Sequence, residues 1–553
     1  MRRHVTLTLL VAVGLSVLLA LGGCDSLTSY NDNPNEAKSA NPNNLLANAQ
    51  RGLADEVYAG TSMMRRSNVW AQYTTQNFYP SESRYSPVNY AWTDFYTRLT
   101  DLKAAKQTAL ERPGTVDNQG NFQAVATIMQ AWAFQILTDT YGAVPFEEAL
   151  QQRENESPVY TDQSVIYPAL VDSLNSALDQ ISTEASGPSG DLVNGGDMMM
   201  WQKFANGLKM RIALRGYELD ADWGDLQGPE AIISNAVDPT VNGEPLTSND
   251  DNVYFQFGTS ANYRNTYYEN RVTDGRDDFD GSARFIDFMK TKYNNMADPR
   301  LDAYFEQTSD FDQTSVSGRP CEDGSGEYAG FPFALKQGDA QGLYSGSIST
   351  CNFSRPEAWF PNGPSGEGDS FAPMMYYDEV LLTKAWAANE GFIPGTPQEL
   401  IAGAIEASVN FYGNQTDADI SGSSSATQNY VSQVQNDFGS DPKQVIGEQR
   451  YISFYMHNIQ GWSTWRRFDF EGVLGAPTGG VAGGFDSYAP LRVPYPSSEA
   501  NLNGQNYTDA ANKCSGDFQG SGGSEGGAQN EDEDCRVAWD VDGPPSDDAY
   551  GVD

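Results

Sequence analysis

Catalysis of the Ser-His-Asp or Cys-His kind would have to be built on a single imidazole. The sequence has two histidines, and His4 falls in an apolar run at the N-terminus, which leaves His457. That residue stands in a helical run beside Tyr455 and Met456, the setting of a packed or surface histidine. The 74 acidic residues offer so many carboxylate pairs that none marks itself as a glycosidic acid and nucleophile. Neither a Gly-x-x-x-x-Gly-Lys phosphate cradle nor a His-Glu-x-x-His zinc pair occurs. Asp417, Asp419, Ser421 and Gly422 match the first, third, fifth and sixth positions of a calcium loop, yet the twelfth is Gln428 where a bidentate Glu is wanted, so the run reads as an ordinary solvated loop. The expectation is a chain that is not an enzyme, with no cofactor and no metal site. Flat apolar faces with polar tips are abundant instead, because aromatic residues make up 12% of the chain. Such side chains meet sugar rings and water together. The candidate ligand contacts are Trp70, Tyr73, Asn77 and Tyr79, then Tyr263, Tyr267, Tyr268, Tyr344 and Trp359.

Those residues need a frame, and apolar stripes at three-and-four spacing supply one. Tyr167, Leu170, Val171, Leu174, Leu178 and Ile181 form one stripe; Ile401, Ala404, Ile405, Ser408, Val409 and Tyr412 form another. Phe122, Val125, Met129, Trp132 and Ile136 make a third, and Trp201, Phe204, Leu208 and Ile212 a fourth. Further helical patterns lie near 45–60, 91–110, 376–390 and 442–457. Tyr167 and Trp201 stand 34 residues apart, the period of a tetratricopeptide helix pair. Between about 220 and 375, and again from 470 onward, Gly, Pro, Asn and aromatic residues crowd together without helical period. The predicted fold is mainly α, a tetratricopeptide-like helical-repeat superhelix with long irregular loops and few short strands.

The N-terminus reads as an export signal: Arg2 and Arg3 precede an apolar core from Val5 to Leu21. It ends in Leu21-Gly22-Gly23-Cys24, the pattern at which bacterial lipoproteins are cut and acylated. Cys24 is therefore the expected lipid-bearing residue, with residues 1–23 removed and 24–44, rich in Asn, Ser and Pro, serving as a tether. The formal net charge of −40 repels itself in dilute buffer and is screened in molar salt, which suits an exposed protein of a halophile. The same field argues against nucleic acid, anionic lipid or sulfated glycan as ligand. Cys321, Cys351, Cys514 and Cys535 remain as an even set in an exported chain, where disulfides form. Three pairings are possible. The one with the shortest loops joins Cys321 to Cys351 and Cys514 to Cys535, each bridge worth roughly 3 kcal/mol.

Several segments, in order, resemble the SusD/RagB family of outer-membrane nutrient-binding lipoproteins. They are Leu137-Thr138-Asp139-Thr140-Tyr141-Gly142-Ala143-Val144-Pro145-Phe146-Glu147-Glu148-Ala149, then Pro158-Val159-Tyr160-Thr161-Asp162. Next come Gly196-Asp197 with Trp201-Gln202-Lys203-Phe204-Ala205-Asn206, Leu208-Lys209-Met210-Arg211 and Arg215, followed by Asp298-Pro299-Arg300-Leu301. Trp462 with Trp465-Arg466-Arg467 and Val493-Pro494-Tyr495-Pro496-Ser497-Ser498-Glu499 with Asn503 complete the series. Leu382-Thr383-Lys384-Ala385-Trp386-Ala387 departs from the family's Ala-Glu-Ala helix. Read from the residues alone, these segments are scaffold: Asp139, Gly142 and Pro145 suit a helix end and tight turn, and Arg211, Arg215, Arg466 and Arg467 suit pairing with carboxylates.

The resemblance implies a single domain over 45–540, with a helical scaffold at about 45–217 and 376–465, a loop-rich ligand-facing part at about 220–375, an irregular segment at 466–540, and an acidic tail at 541–553. It further implies a lipoprotein of the outer membrane, facing outward, that holds an oligosaccharide or peptide for a SusC-like TonB-dependent transporter. Two other readings are a surface glycoside hydrolase and a helical scaffold for outer-membrane assembly. The long aromatic loops favour binding, since a repeat adaptor has little use for them.

Overall fold

Helices form where the apolar stripes run. A computed structural model describes residues 40–58, 63–85, 91–276, 278–307, 328–343, 353–457, 459–468, 474–475, 477–480 and 490–513. The signal segment, all five cysteines, Tyr344, the Ser515 to Gly527 stretch and the acidic tail lie outside them.

In chain order the first elements are α1 (Pro42–Tyr58), α2 (Met63–Trp70), β1 (Thr74–Gln76), α3 (Trp92–Glu111), α4 (Gln119–Tyr141), β2 (Val144–Pro145), β3 (Tyr160–Thr161), α5 (Gln163–Leu178), α6 (Met198–Arg215) and α7 (Pro229–Val237). Helix α1 packs on α3, α3 on α4, α4 on α5, and α5 on α6, a succession of neighbours stacked side by side. The stripe Phe122, Val125, Met129, Trp132 and Ile136 is buried as its spacing predicts. Local chemistry sets the ends. The Asn118 side chain accepts from the Asn121 amide at 2.9 Å to start α4, and Gly142, with φ +80, ends it in a conformation that L side chains rarely adopt. Asp197 starts α6 by accepting from the Met199 and Met200 amides. The stripe over Tyr167 carries helix only to Leu178, so Ile181 lies beyond the helix, half-buried in the following turn.

The central region is less irregular than its composition predicts. It contains β4 (Val253–Gln256), α8 (Thr266–Tyr268), β5 (Phe279–Gly281), α9 (Ala283–Thr291), α10 (Leu301–Tyr304), α11 (Gln337–Leu343), α12 (Trp359–Asn362) and β6 (Phe371–Met375). Among the described residues the strands form three antiparallel pairs, β1 with β5, β2 with β3, and β4 with β6. The first pair sets Thr74 opposite Gly281 and Gln76 opposite Phe279, and so ties the segment after α2 to the central loops.

The second helical block is α13 (Tyr377–Asn389), α14 (Pro397–Gln415), α15 (Ser425–Phe438), α16 (Pro442–Ser453) and α17 (Gln460–Phe468), followed by α18 (Glu499–Leu502) and α19 (Gly504–Lys513). Helix α13 packs on α14 and α16 and also touches α6, which joins the two blocks. Periodicity did not announce α15, because Ser, Thr, Asn and Gln fill the positions around its buried Tyr430, Val431, Val434 and Phe438. Helices α18 and α19 likewise interrupt the C-terminal part read as irregular, and α1 begins inside the stretch read as tether.

The joint between the blocks is polar. Arg211 binds Glu379 through two parallel hydrogen bonds, and Arg215 pairs with Asp139, whose carboxylate also accepts from Tyr167 and Gln135. Arg300 holds Asp298 bidentately at 2.9 and 2.6 Å, fully buried. Arg467 pairs with Glu218, and Arg466 donates to Leu491 O at 2.8 Å and Asp139 O at 3.0 Å while stacking on Trp462. The tail then clasps the corner after α4: Val493 N donates to Thr140 O at 3.0 Å, Tyr495 Oη to Ala143 O at 2.6 Å, and Asn503 Nδ2 to Pro158 O at 2.8 Å. These motif residues satisfy buried groups within the scaffold.

Candidate ligand-binding surface

Two exposed aromatic platforms stand on loops, one after β1 and one after β4. The first follows β1, where Phe78 and Tyr79 meet edge to face at 4.9 Å and are 54% and 41% exposed. The Arg276 guanidinium lies 5.2 Å from the Tyr79 ring centre and is held by Asp278 at 2.8 Å. Pairing of β1 with β5 brings these segments together, and the Asn77 amide extends the pairing by donating to Asp278 O at 3.0 Å. The Asn77 side chain turns inward to Asp280 Oδ2.

The second platform is carried by the loop after β4. Tyr263 is 59% exposed, and the Arg51 guanidinium from α1 lies 5.3 Å from its ring centre. Arg51 is itself fixed, donating to Asp55 at 2.8 Å and to Asn262 O at 3.1 Å. Arg264 covers the half-buried Tyr268 ring at 5.0 Å. Gly368, at φ +93, is needed here, since a Cβ would come within 2.8 Å of Tyr268 Cγ. A guanidinium on one face stiffens each ring and contributes about 0.5–1 kcal/mol at an exposed site. Tyr79 and Tyr263 keep enough surface in solvent to be stacked upon.

The remaining candidates sit deeper. Trp70, Tyr73 and Tyr267 are at most 3% exposed. Trp70 packs edge to face on Trp462 at 5.0 Å, and Tyr73 stacks on Tyr451 at 4.6 Å. Trp359 is 7% exposed and packs against Phe371. All four are placed to shape the core under the loops and not to meet solvent. The sequence reading passed over Phe78, although it adjoins Tyr79, and over the three arginines. Arg51 could not have been found, because it meets Asn262 across 211 residues.

His457 is 2% exposed and lies edge-on to Tyr376 at 4.5 Å. Burial, with the Arg211 charge adding to it, pushes its imidazole down to about 3, so it stays neutral in its packed place. In the stretch read against a calcium loop, the Gln428 amide donates to Gly422 O at 2.8 Å and to Glu406, and the Gly422 amide donates to Asn410 Oδ1 at 2.8 Å. Among the described residues no group of three or more His, Cys, Asp or Glu is placed to hold a metal ion, and no helix is long and apolar enough to cross a membrane.

Compared with known proteins, the chain matches over residues 34–496 the family model SusD-like_2, described as starch-binding, associating with outer membrane. No curated protein matches significantly. Among solved structures, a chitin-binding protein aligns at 23% identity and TM-score 0.69 over 91% of this chain and 100% of its own. A SusD homologue of Bacteroides ovatus aligns at 18% identity and TM-score 0.68 over 91% and 99%. A SusD homologue of Bacteroides fragilis aligns at 18% identity and TM-score 0.67, again over 91% and 99%. At these identities the likeness is one of fold.

Proposed function

The chain belongs to the SusD-like family of outer-membrane-associated nutrient-binding proteins, which are not enzymes, and from that premise we propose that it captures an oligosaccharide at the cell surface and passes it to a SusC-like TonB-dependent transporter. The observation that carries this reading is the pair of exposed platforms, Phe78–Tyr79 over Arg276 and Tyr263–Tyr268 with Arg51 and Arg264. A ring already stiffened by a guanidinium loses little freedom when a sugar stacks on it. Net charge selects among saccharides, because a chain at −40 repels polyanions. Neutral chains are favoured, and the family's starch description together with the chitin-binding relative makes malto- and chito-oligosaccharides the first to try. Lipidation at Cys24 would anchor the protein with this surface directed outward.

The test is calorimetric titration of the lipoprotein with malto- and chito-oligosaccharides in high salt, beside isolation from solubilised outer membranes. Saturable binding to one series, with a large TonB-dependent barrel isolated in stoichiometric amount, supports the proposal. Silence toward every neutral glycan, or isolation with assembly-machine subunits, overturns it.

A further inference from the structure

A cleft of about 640 Å³ opens between α3, the chain after β2 and the C-terminal clasp, and shares no lining residue with either aromatic platform. Its volume lies within the roughly 300–1,000 Å³ of ligand pockets. Thr93, Thr97 and Thr100 line one wall, Leu150 and Glu156 another, and Leu502, Glu499 and Asn503 the third.

The hydrogen-bond chemistry of these walls is one-sided. Thr97 and Thr100 spend their hydroxyl protons backward on the Thr93 and Tyr96 carbonyls at 2.9 and 2.8 Å. The Tyr96 hydroxyl donates to Pro145 O at 2.8 Å, and the Asn503 amide donates to Pro158 O. Tyr160 donates to Glu499 Oε2 at 2.7 Å, while Glu499 Oε1 receives no hydrogen bond among the described residues although the residue is 9% exposed. Glu156 is exposed at the rim. Of the thirteen lining residues none is basic; Lys103 stands close by, but its ammonium is engaged by Leu150 O at 2.7 Å. The cleft therefore presents acceptors and negative charge to whatever enters.

The apolar part of the lining is aliphatic where it is open. Leu502 is 68% exposed, whereas Trp92 is 5% exposed, enclosed by Tyr96, Tyr141, Tyr160 and Tyr495. Tyr96, the other ring in the lining, is half-buried with its hydroxyl spent on Pro145 O, so it offers a saccharide less open face than Tyr79 or Tyr263. A long apolar stem ending in a cluster of N–H donors is complementary on both counts, its stem along Leu150 and Leu502 and its head at Glu499 and Glu156. We propose that this cleft is a docking site for an extended segment of a protein partner bearing a lysine or arginine. The site is separate from the ligand platforms, so the two can be lost independently.

The experiment places the photoreactive residue p-benzoylphenylalanine at position 97 of the full lipoprotein, irradiates intact outer membranes, and identifies the linked peptides by mass spectrometry. The same residue at exposed position 172 on α5 is the control, and Glu156→Lys, an exposed change that leaves the fold undisturbed, is combined with the first. The expected result is a defined adduct at 97, absent at 172, whose partner peptide has Lys or Arg within two residues of the linked atom. Glu156→Lys should lower its yield at least fivefold while oligosaccharide titrations stay unchanged. Any of four results overturns the proposal: no adduct beyond the control, an adduct with glycan or lipid, a peptide without a basic residue at that place, or a yield indifferent to Glu156→Lys.

Discussion

Arg211 on α6 and Glu379 on α13 face each other across 168 residues of sequence and exchange two hydrogen bonds, Nε to Oε1 at 2.6 Å and Nη2 to Oε2 at 2.8 Å, with both side chains 1% exposed. This pair sits where the two helical blocks meet. Arg211 Nη2 also reaches Met374 O at 2.7 Å, so one guanidinium links α6, α13 and the end of β6.

Breaking the pair from one side leaves a buried charge without its partner. Glu379→Met or Arg211→Met is expected to cost about 3–5 kcal/mol, and the double variant Arg211→Met, Glu379→Met to recover much of that loss. Denaturant unfolding of the four proteins measures it. Equal, additive losses would show that the two residues act separately.

The exposed and buried aromatics should part company under mutation. Tyr79→Ala and Tyr263→Ala are expected to weaken oligosaccharide binding about tenfold or more each, about 1.4 kcal/mol, with little change in Tm. Trp70→Ala is expected to cost about 3–5 kcal/mol of stability through the cavity it leaves beside Trp462. Titration and thermal melts on the same preparations separate the effects; a Tyr263→Ala protein that binds normally would remove that residue from the site.

His457 predicts an acid limb. Its imidazole is held at about 3 when folded against 6.5 when free. The unfolded chain therefore binds the proton first as pH falls. This contribution to stability is fully present above pH 6.5 and is lost as pH drops toward 3, by at most about 1.4 kcal/mol per unit. His457→Phe should flatten the stability curve over that window. Asp378 works in the opposite direction, since burial raises its carboxyl to about 6 from 3.8; its contribution is present below 3.8 and is lost as pH rises through 6. Asp378→Asn should remove that opposing slope, which unfolding curves from pH 3 to 7 would reveal.

Net charge predicts a salt response. Between 0.1 M and 1 M salt the Debye length falls from about 10 to about 3 Å. Self-repulsion at −40 fades accordingly, and Tm should climb through that range. A flat or falling Tm would remove the reading of a protein adapted to high salt.

Sequence by itself determined the mainly helical frame, because a buried helix face must repeat every three or four residues and Phe122 to Ile136 or Ile401 to Tyr412 show that repeat directly. It also determined the shortage of catalytic groups and, through motif segments such as Leu137 to Ala149 and Val493 to Asn503, the family. It did not show why those segments belong together. Only the fold reveals that Tyr495 and Asn503 satisfy carbonyls at Ala143 and Pro158. The division of the aromatics was also beyond its reach: Tyr73 and Tyr79 are equal as letters, yet one is enclosed by Tyr451, Phe285 and Tyr455 and the other stands in solvent over Arg276. Burial is a property of what arrives from elsewhere in the chain. Arg51 reaching Tyr263 and Arg211 reaching Glu379 are tertiary facts of that kind, since spacing along a chain specifies neighbours within one helix or strand and says nothing of which loops will close over it.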